Sequence, residues 1–147
     1  MAKNFLIKPE SAAYGACVFT MHHQRIKFRV GKTTPIKTGQ FVTLWKREGM
    51  GEILPHDRED PFDIFVVSVR TSENFGQFVF PKEVLCEKGI LSKGRKGGKR
   101  AMRVYPPWSL QKNRQSQKTQ DWQLMYFFDI PLNKAVDTVR VRKLFLL

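Results

Sequence analysis

DIFVVSVRTSENFGQFVF, residues 63–80, holds two strand-like runs around a polar turn, and their reading organises the rest of the chain. The unbroken apolar segment Ile64 to Val67 has the composition of a strand buried on both faces, Thr71 to Gly76 is a turn, and Gln77 to Phe80 resumes the strand pattern. The two runs are expected to pair as neighbours. Downstream, Pro81 suits a first helical turn, and Lys82 to Lys88, with Val84 and Leu85, fits two short turns ended by Gly89.

Upstream, YGACVFTM (14–21) and RIKFRV (25–30) flank His22-His23-Gln24 and read as a hairpin. In the second run Ile26, Phe28 and Val30 alternate with Arg25, Lys27 and Arg29. Period two therefore predicts one packed face and one positive stripe. QFVTLWKR (40–47) is apolar on both sides and is expected to be a central strand, followed by a long gap with breakers at Gly49, Gly51 and Pro55.

Residues 92–108, SKGRKGGKRAMRVYPPW, begin as a Gly-rich cationic arm expected to be mobile. They continue as a short strand from Arg100 to Tyr105, placed in the sheet beside the 80–82 strand end and halted by Pro106-Pro107. From Leu110 to Phe128 the pattern is helical, polar in its first half and apolar in its second, with Trp122, Met125 and Tyr126 at core-contact spacing. Asp137 to Leu147 suits either an edge strand or a helix. Several strands with few helices predict an α+β fold, a central mixed β-sheet flanked by a few helices, in one domain over residues 1–147.

The net charge of +13 and pI near 10.1 point to a polyanionic partner, because charge governs long-range attraction and solubility rather than fold. A basic surface kept for solubility and an acidic membrane surface are the rival readings. No run approaches the roughly 20 apolar residues of a membrane helix. The first residues, MAKNFLIKPES, lack a signal peptide's apolar core, so a cytoplasmic protein without membrane attachment is expected. Cys17 and Cys86 stand in apolar surroundings and are read as buried thiols. His22, His23 and His56 lack the partners of a zinc site, and no cofactor is expected.

No nucleophile elbow, Walker loop or dinucleotide-binding glycine motif occurs. The acids Asp57, Glu59, Asp60 and Asp63 are the one constellation of a kind that could hold a divalent cation. A metal-dependent nuclease needs a further acid and a lysine two residues apart on the next strand, to bind magnesium and steady the attacking water. The corresponding positions read Phe80-Pro81-Lys82, with phenylalanine where the carboxylate belongs. The acids are therefore read as loop or helix-cap groups.

The blocks GQFVTLWKR (39–47), FVFPKEVL (78–85), KRAMRVYPPW (99–108) and QKTQDWQ (117–123) resemble the MepB family, small bacterial proteins known from a multidrug-efflux operon. The resemblance implies a fold similar to the PD-(D/E)XK nuclease superfamily without its catalytic set, and binding of nucleic acid rather than cutting.

The expected activity is non-catalytic binding of single-stranded DNA or RNA. Arg25, Lys27, Arg29, Lys46, Lys82, Arg95, Lys96, Lys99, Arg100 and Arg103 are the candidates to neutralise phosphates in a basic groove. Tyr105 and Trp108 would stack on unpaired bases, with Trp45 a further, core-facing candidate, at about 1 to 3 kcal/mol per base. A metal nuclease with an atypical site and a basic protein-interaction module remain the alternatives.

Overall fold

The computed structural model describes residues 2–7, by their backbone, and residues 15–146; Tyr14 and Leu147 of the expected terminal elements lie outside the described residues. The chain forms β1 (Ala2–Ile7), β2 (Cys17–Met21), β3 (Gln24–Val30), β4 (Lys32–Thr33), β5 (Gln40–Thr43), β6 (Trp45–Arg47), β7 (Ile53–Pro55), β8 (Ile64–Arg70) and β9 (Phe75–Pro81). It continues through α1 (Lys82–Glu87), β10 (Ala101–Val104), α2 (Arg114–Leu124), β11 (Phe127–Asp129) and α3 (Thr138–Leu144).

The fold is α+β. A six-stranded mixed sheet has the order β1-β2-β3-β8-β9-β11, with β3 and β8 parallel and the other neighbours antiparallel. Two smaller sheets, β10-β5-β4 and β6-β7, complete it. The β8–β9 pairing is as the sequence predicts, and so is the β2–β3 hairpin. His22 and His23, at φ 48° and 67°, occupy its tight two-residue turn, whose backbone twist matches that of the strands.

Two cores cover the two faces of the large sheet. Phe65, Val67, Phe78 and Phe80 point to one side, where Val42 of β5, Val104 of β10, Leu44 just after β5 and Leu85 of α1 meet them. Ile64, Val66 and Val79 point to the other, against Ile26, Phe128, Leu144 of α3 and Phe145 at its C-cap. Both faces of β8 are thus buried, which explains its unbroken apolar run.

That double coverage corrects the reading of β3. Lys27 and Arg29 lie on the face of Phe65 and Val67 rather than in solvent, with only Arg25 at the strand's start exposed, and Arg29 is only 1% exposed with its guanidinium 5.6 Å from the Phe65 ring centroid. An alternating strand looks the same in sequence whether a second layer or water covers its polar side.

Other expectations are also revised. Residues 40–47 form two strands in different sheets, parted at Leu44. β10 pairs with β5 in the small sheet, not with β9, which carries Phe80 and leads into Lys82 of α1. The 93–96 arm is shaped: Lys93 and Lys96 exchange backbone hydrogen bonds of 2.9 and 3.1 Å across Gly94 and Arg95, both at positive φ. The helical pattern ends at Leu124, because Phe127 and Phe128 form a strand that fills both cores. The C-terminal segment is the helix α3, capped by the Asp137 side chain on the Arg140 amide. Cys17 is buried as expected, whereas Cys86 is exposed. Among the described residues no helix is long and apolar enough to cross a membrane.

Candidate nucleic-acid interface

The predicted cations do not line one groove; the fold divides them between two clefts and the surface around them. The first cleft, about 230 Å³, lies between β6–β7 and the 57–60 loop, and includes Lys46 and Arg95 among its walls. Acids balance both cations there. Lys46 Nζ reaches Asp60 Oδ1 at 2.7 Å and Glu48 Oε1 at 3.3 Å, and Arg95 Nη2 reaches Glu48 Oε2 at 3.2 Å. Burial pulls the Lys46 ammonium down, but Asp60 and Glu48 outweigh it and leave its pKa above the ordinary value.

The acidic knot is committed to local structure. Asp57 accepts from Ser92 Oγ at 2.6 Å and from the Glu59 amide at 3.0 Å, contacts that hold its carboxyl below the usual range. Asp60 caps the Asp57 amide at 2.9 Å; burial pushes its pKa up, yet His56, Lys46 and that amide hold it well below the usual range. Asp63 accepts from the Arg25 amide at 2.8 Å, closing the start of β3. Among the described residues no group of three such side chains is placed to hold a metal ion. Phe80, where a nuclease would need a carboxylate, is fully buried in β9.

Lys82 and Lys27 converge instead on Phe62, with ammonium groups 5.0 and 5.9 Å from its ring centroid, and Lys82 Nζ also donates to the Asp60 carbonyl. Arg25 is exposed beside Asp63. Lys96 and Arg100 are exposed as well, Arg100 Nε donating to the Ile53 carbonyl at 3.3 Å. Trp45 is half-buried on β6 beneath the Arg47 guanidinium, 5.8 Å from its ring.

The second cleft, about 260 Å³, has β10 on one side and α2 on the other. Lys88, Lys99, Arg103, Tyr105 and Trp122 line it, and no acidic residue does so among the described ones. Lys99, Arg103 and Tyr105 are predicted site residues; Lys88 and Trp122 are additions. Lys88 Nζ lies 5.4 Å from the Trp122 ring centroid, an arrangement the spacing in sequence does not disclose. Arg103 is less free than expected, because it donates to the Thr38 carbonyl at 3.1 Å and to Thr34 Oγ1 at 2.7 Å. Trp108 is not a wall of this cleft. It packs edge-on against Phe127 at 5.9 Å, on the core.

Two glutamines of α2 hold the cleft in shape. Gln123, fully buried, accepts from the Tyr105 amide at 2.8 Å and donates to the Arg103 carbonyl at 2.9 Å. Gln120 donates to the Pro106 and Ser109 carbonyls at 2.8 and 2.9 Å, so the Pro-Pro corner is tied down rather than merely stiff. The sequence pattern puts Gln120 in the wet half of the helix; its amide is buried because it satisfies carbonyls of the corner after β10, and that of Gln123 because it substitutes for a strand partner.

Comparison with known proteins adds a family. The model of the MepB-like family matches residues 8–129. A crystal structure of MepB superposes with a TM-score of 0.84 at 36% sequence identity, covering 90% of this chain and 88% of that one. No curated protein matches the chain. With its fold and most of its length accounted for by that match, the chain belongs to the MepB-like family.

Proposed function

We propose that this protein binds single-stranded DNA or RNA without cutting it, and that the β10–α2 cleft is where it does so. The observation that carries the reading is the meeting of Lys88, Lys99 and Arg103 with the Tyr105 and Trp122 rings in one cleft that no acid lines among the described residues. Cations supply phosphate attraction through counterion release, and aromatic rings supply a sequence-tolerant surface for bases. The cleft at Lys46 offers no comparable field, since its cations already have carboxylate partners. Binding without hydrolysis is supported by the buried Phe80 and by acids that serve as loop and strand caps.

The test is a titration against RNA, single-stranded DNA and duplex DNA at two salt concentrations. Affinity for single strands falls with salt. Combining Lys88→Ala with Lys99→Ala lowers the magnitude of the logarithmic salt slope by roughly 1 to 1.5, the effect of losing two phosphate contacts on a single strand. Salt-independent affinity, or a double variant identical to the parent, refutes the proposal. Incubation with magnesium is expected to leave both strands and duplex uncut.

A further inference from the structure

β10 is an edge strand with a gap in its hydrogen bonding, and the gap faces the cleft. The register Met102↔Val42 and Val104↔Gln40, with the Leu44 amide donating to the Arg100 carbonyl at 2.8 Å, turns the even-numbered peptide groups toward β5. The backbone groups of residues 99, 101, 103 and 105 therefore point the other way, along the cleft. At one end the Lys99 amide donates to the Ile90 carbonyl at 2.9 Å. At the other, Gln123 takes the Arg103 carbonyl and the Tyr105 amide. Between these ends, no hydrogen bond from the described residues reaches the Lys99 carbonyl, the Ala101 amide, the Ala101 carbonyl or the Arg103 amide.

Two pairs are left open, each an acceptor at one residue and a donor two residues on, and the one beside Gln123 is the Ala101 carbonyl with the Arg103 amide. Gln123 shows what fits such a pair, because its planar amide satisfies the identical combination one step along the strand. An unpaired nucleobase carries the same complement, since each Watson–Crick edge has a donor beside an acceptor. Resting on the single-strand reading above, we infer that one unpaired base inserts its Watson–Crick edge onto the Ala101 carbonyl and the Arg103 amide.

Trp122 and Tyr105 lie in the same cleft to cover the ring, and Lys88 and Lys99 to meet the flanking phosphates. A duplex is excluded because its Watson–Crick edges are already paired. The lining of the cleft favours a base over an added peptide strand: two aromatic rings and two lysines flank the open groups, and Ile90 and Gln123 close the strand on either side.

The experiment compares a short oligouridylate with the same oligomer methylated at N3 of every base, on the full chain and on Thr119→Phe, which fills the cleft from α2. N3 methylation removes the donor for the Ala101 carbonyl while keeping charge and stacking surface. The expected result is binding weakened about ten-fold or more by methylation, with that difference abolished in Thr119→Phe. Equal affinity for both oligomers, salt-dependent and reduced by Lys88→Ala, overturns the base-edge contact and leaves the interface standing. No salt-dependent binding of either oligomer overturns both. Binding of an extended acidic peptide of alternating aspartate and valine, with no oligomer bound, places a peptide on β10 and also overturns both.

Discussion

Acid weakens this fold through His56 before it reaches the carboxylates. The imidazole is 1% exposed, with ring centroids of Phe62 and Phe65 at 6.1 and 5.7 Å. Burial, the largest effect, lowers its pKa from 6.5 to about 4; the contact with Asp60 pulls upward, and the charges of Lys27 and Arg29 add to the lowering. The folded value lies below the unfolded one, so the unfolded chain takes up the proton first as pH falls. Stability is complete above pH 6.5 and is lost between there and about 4; the gap corresponds to roughly 3 kcal/mol. Asp60, held low, contributes stability above its ordinary 3.8 that is lost only as pH falls further, so the two effects occupy different ranges.

The perturbation that isolates the histidine is His56→Leu. Neither ring nitrogen has a hydrogen-bond partner within normal distance among the described residues, with Asp60 Oδ2 at 3.6 Å from Nδ1, so the substitution removes the histidine's titration and, with it, one contact that holds Asp60 low, an effect felt only near and below Asp60's ordinary 3.8. Urea unfolding of both proteins at about pH 7.5 and about pH 4.5 measures the difference. The parent loses roughly 2 to 3 kcal/mol more than the variant between the two conditions. Parallel losses in both proteins refute the assignment.

Two further outcomes follow from the packing. Gln123→Met leaves the part-buried Arg103 carbonyl and Tyr105 amide without their protein partner and destabilises by about 1 to 3 kcal/mol in denaturant titration; an unchanged midpoint would deny the glutamine its role as a strand substitute. Gly76→Ala places a Cβ 2.3 Å from the Phe127 ring and 2.7 Å from the Phe128 carbonyl, which lowers stability by roughly 3 kcal/mol, read as a lower thermal midpoint. A normal midpoint would mean that β11 does not pack against β9 as described.

The parts legible in the sequence are those where one short pattern has one physical meaning. The apolar run of β8, the His22-His23 turn, the Gly89 stop after α1 and the β10 strand before Pro106 all belong to this class. Arg29 was not legible, because alternation does not say what lies on the polar side. Neither was the cleft. Lys88 and Trp122 are 34 positions apart, and only the docking of α2 beside β10 brings them to 5.4 Å. Gln120 and Gln123 look like solvated residues, since a glutamine that satisfies backbone groups has the same letter as one in water. Phe127 and Phe128 continue an apolar run, and it is the space above Gly76 that lets them leave the helix and pair with β9.

The separation of β5 from β10 along the chain also matters during synthesis. β5 is complete at Thr43, but the partner for its second edge begins only at Ala101. At ribosomal speeds, roughly 3 to 12 s pass before that partner is made. For those seconds the nascent chain presents a strand edge able to pair with a neighbour on the same message. Slowing translation between residues 44 and 100 lengthens the exposure, whereas supplying the 101–104 segment in trans shortens it. The yield of folded protein should therefore respond to codon choice in this interval more than to codon choice after α2, a comparison that expression of two recoded messages makes directly.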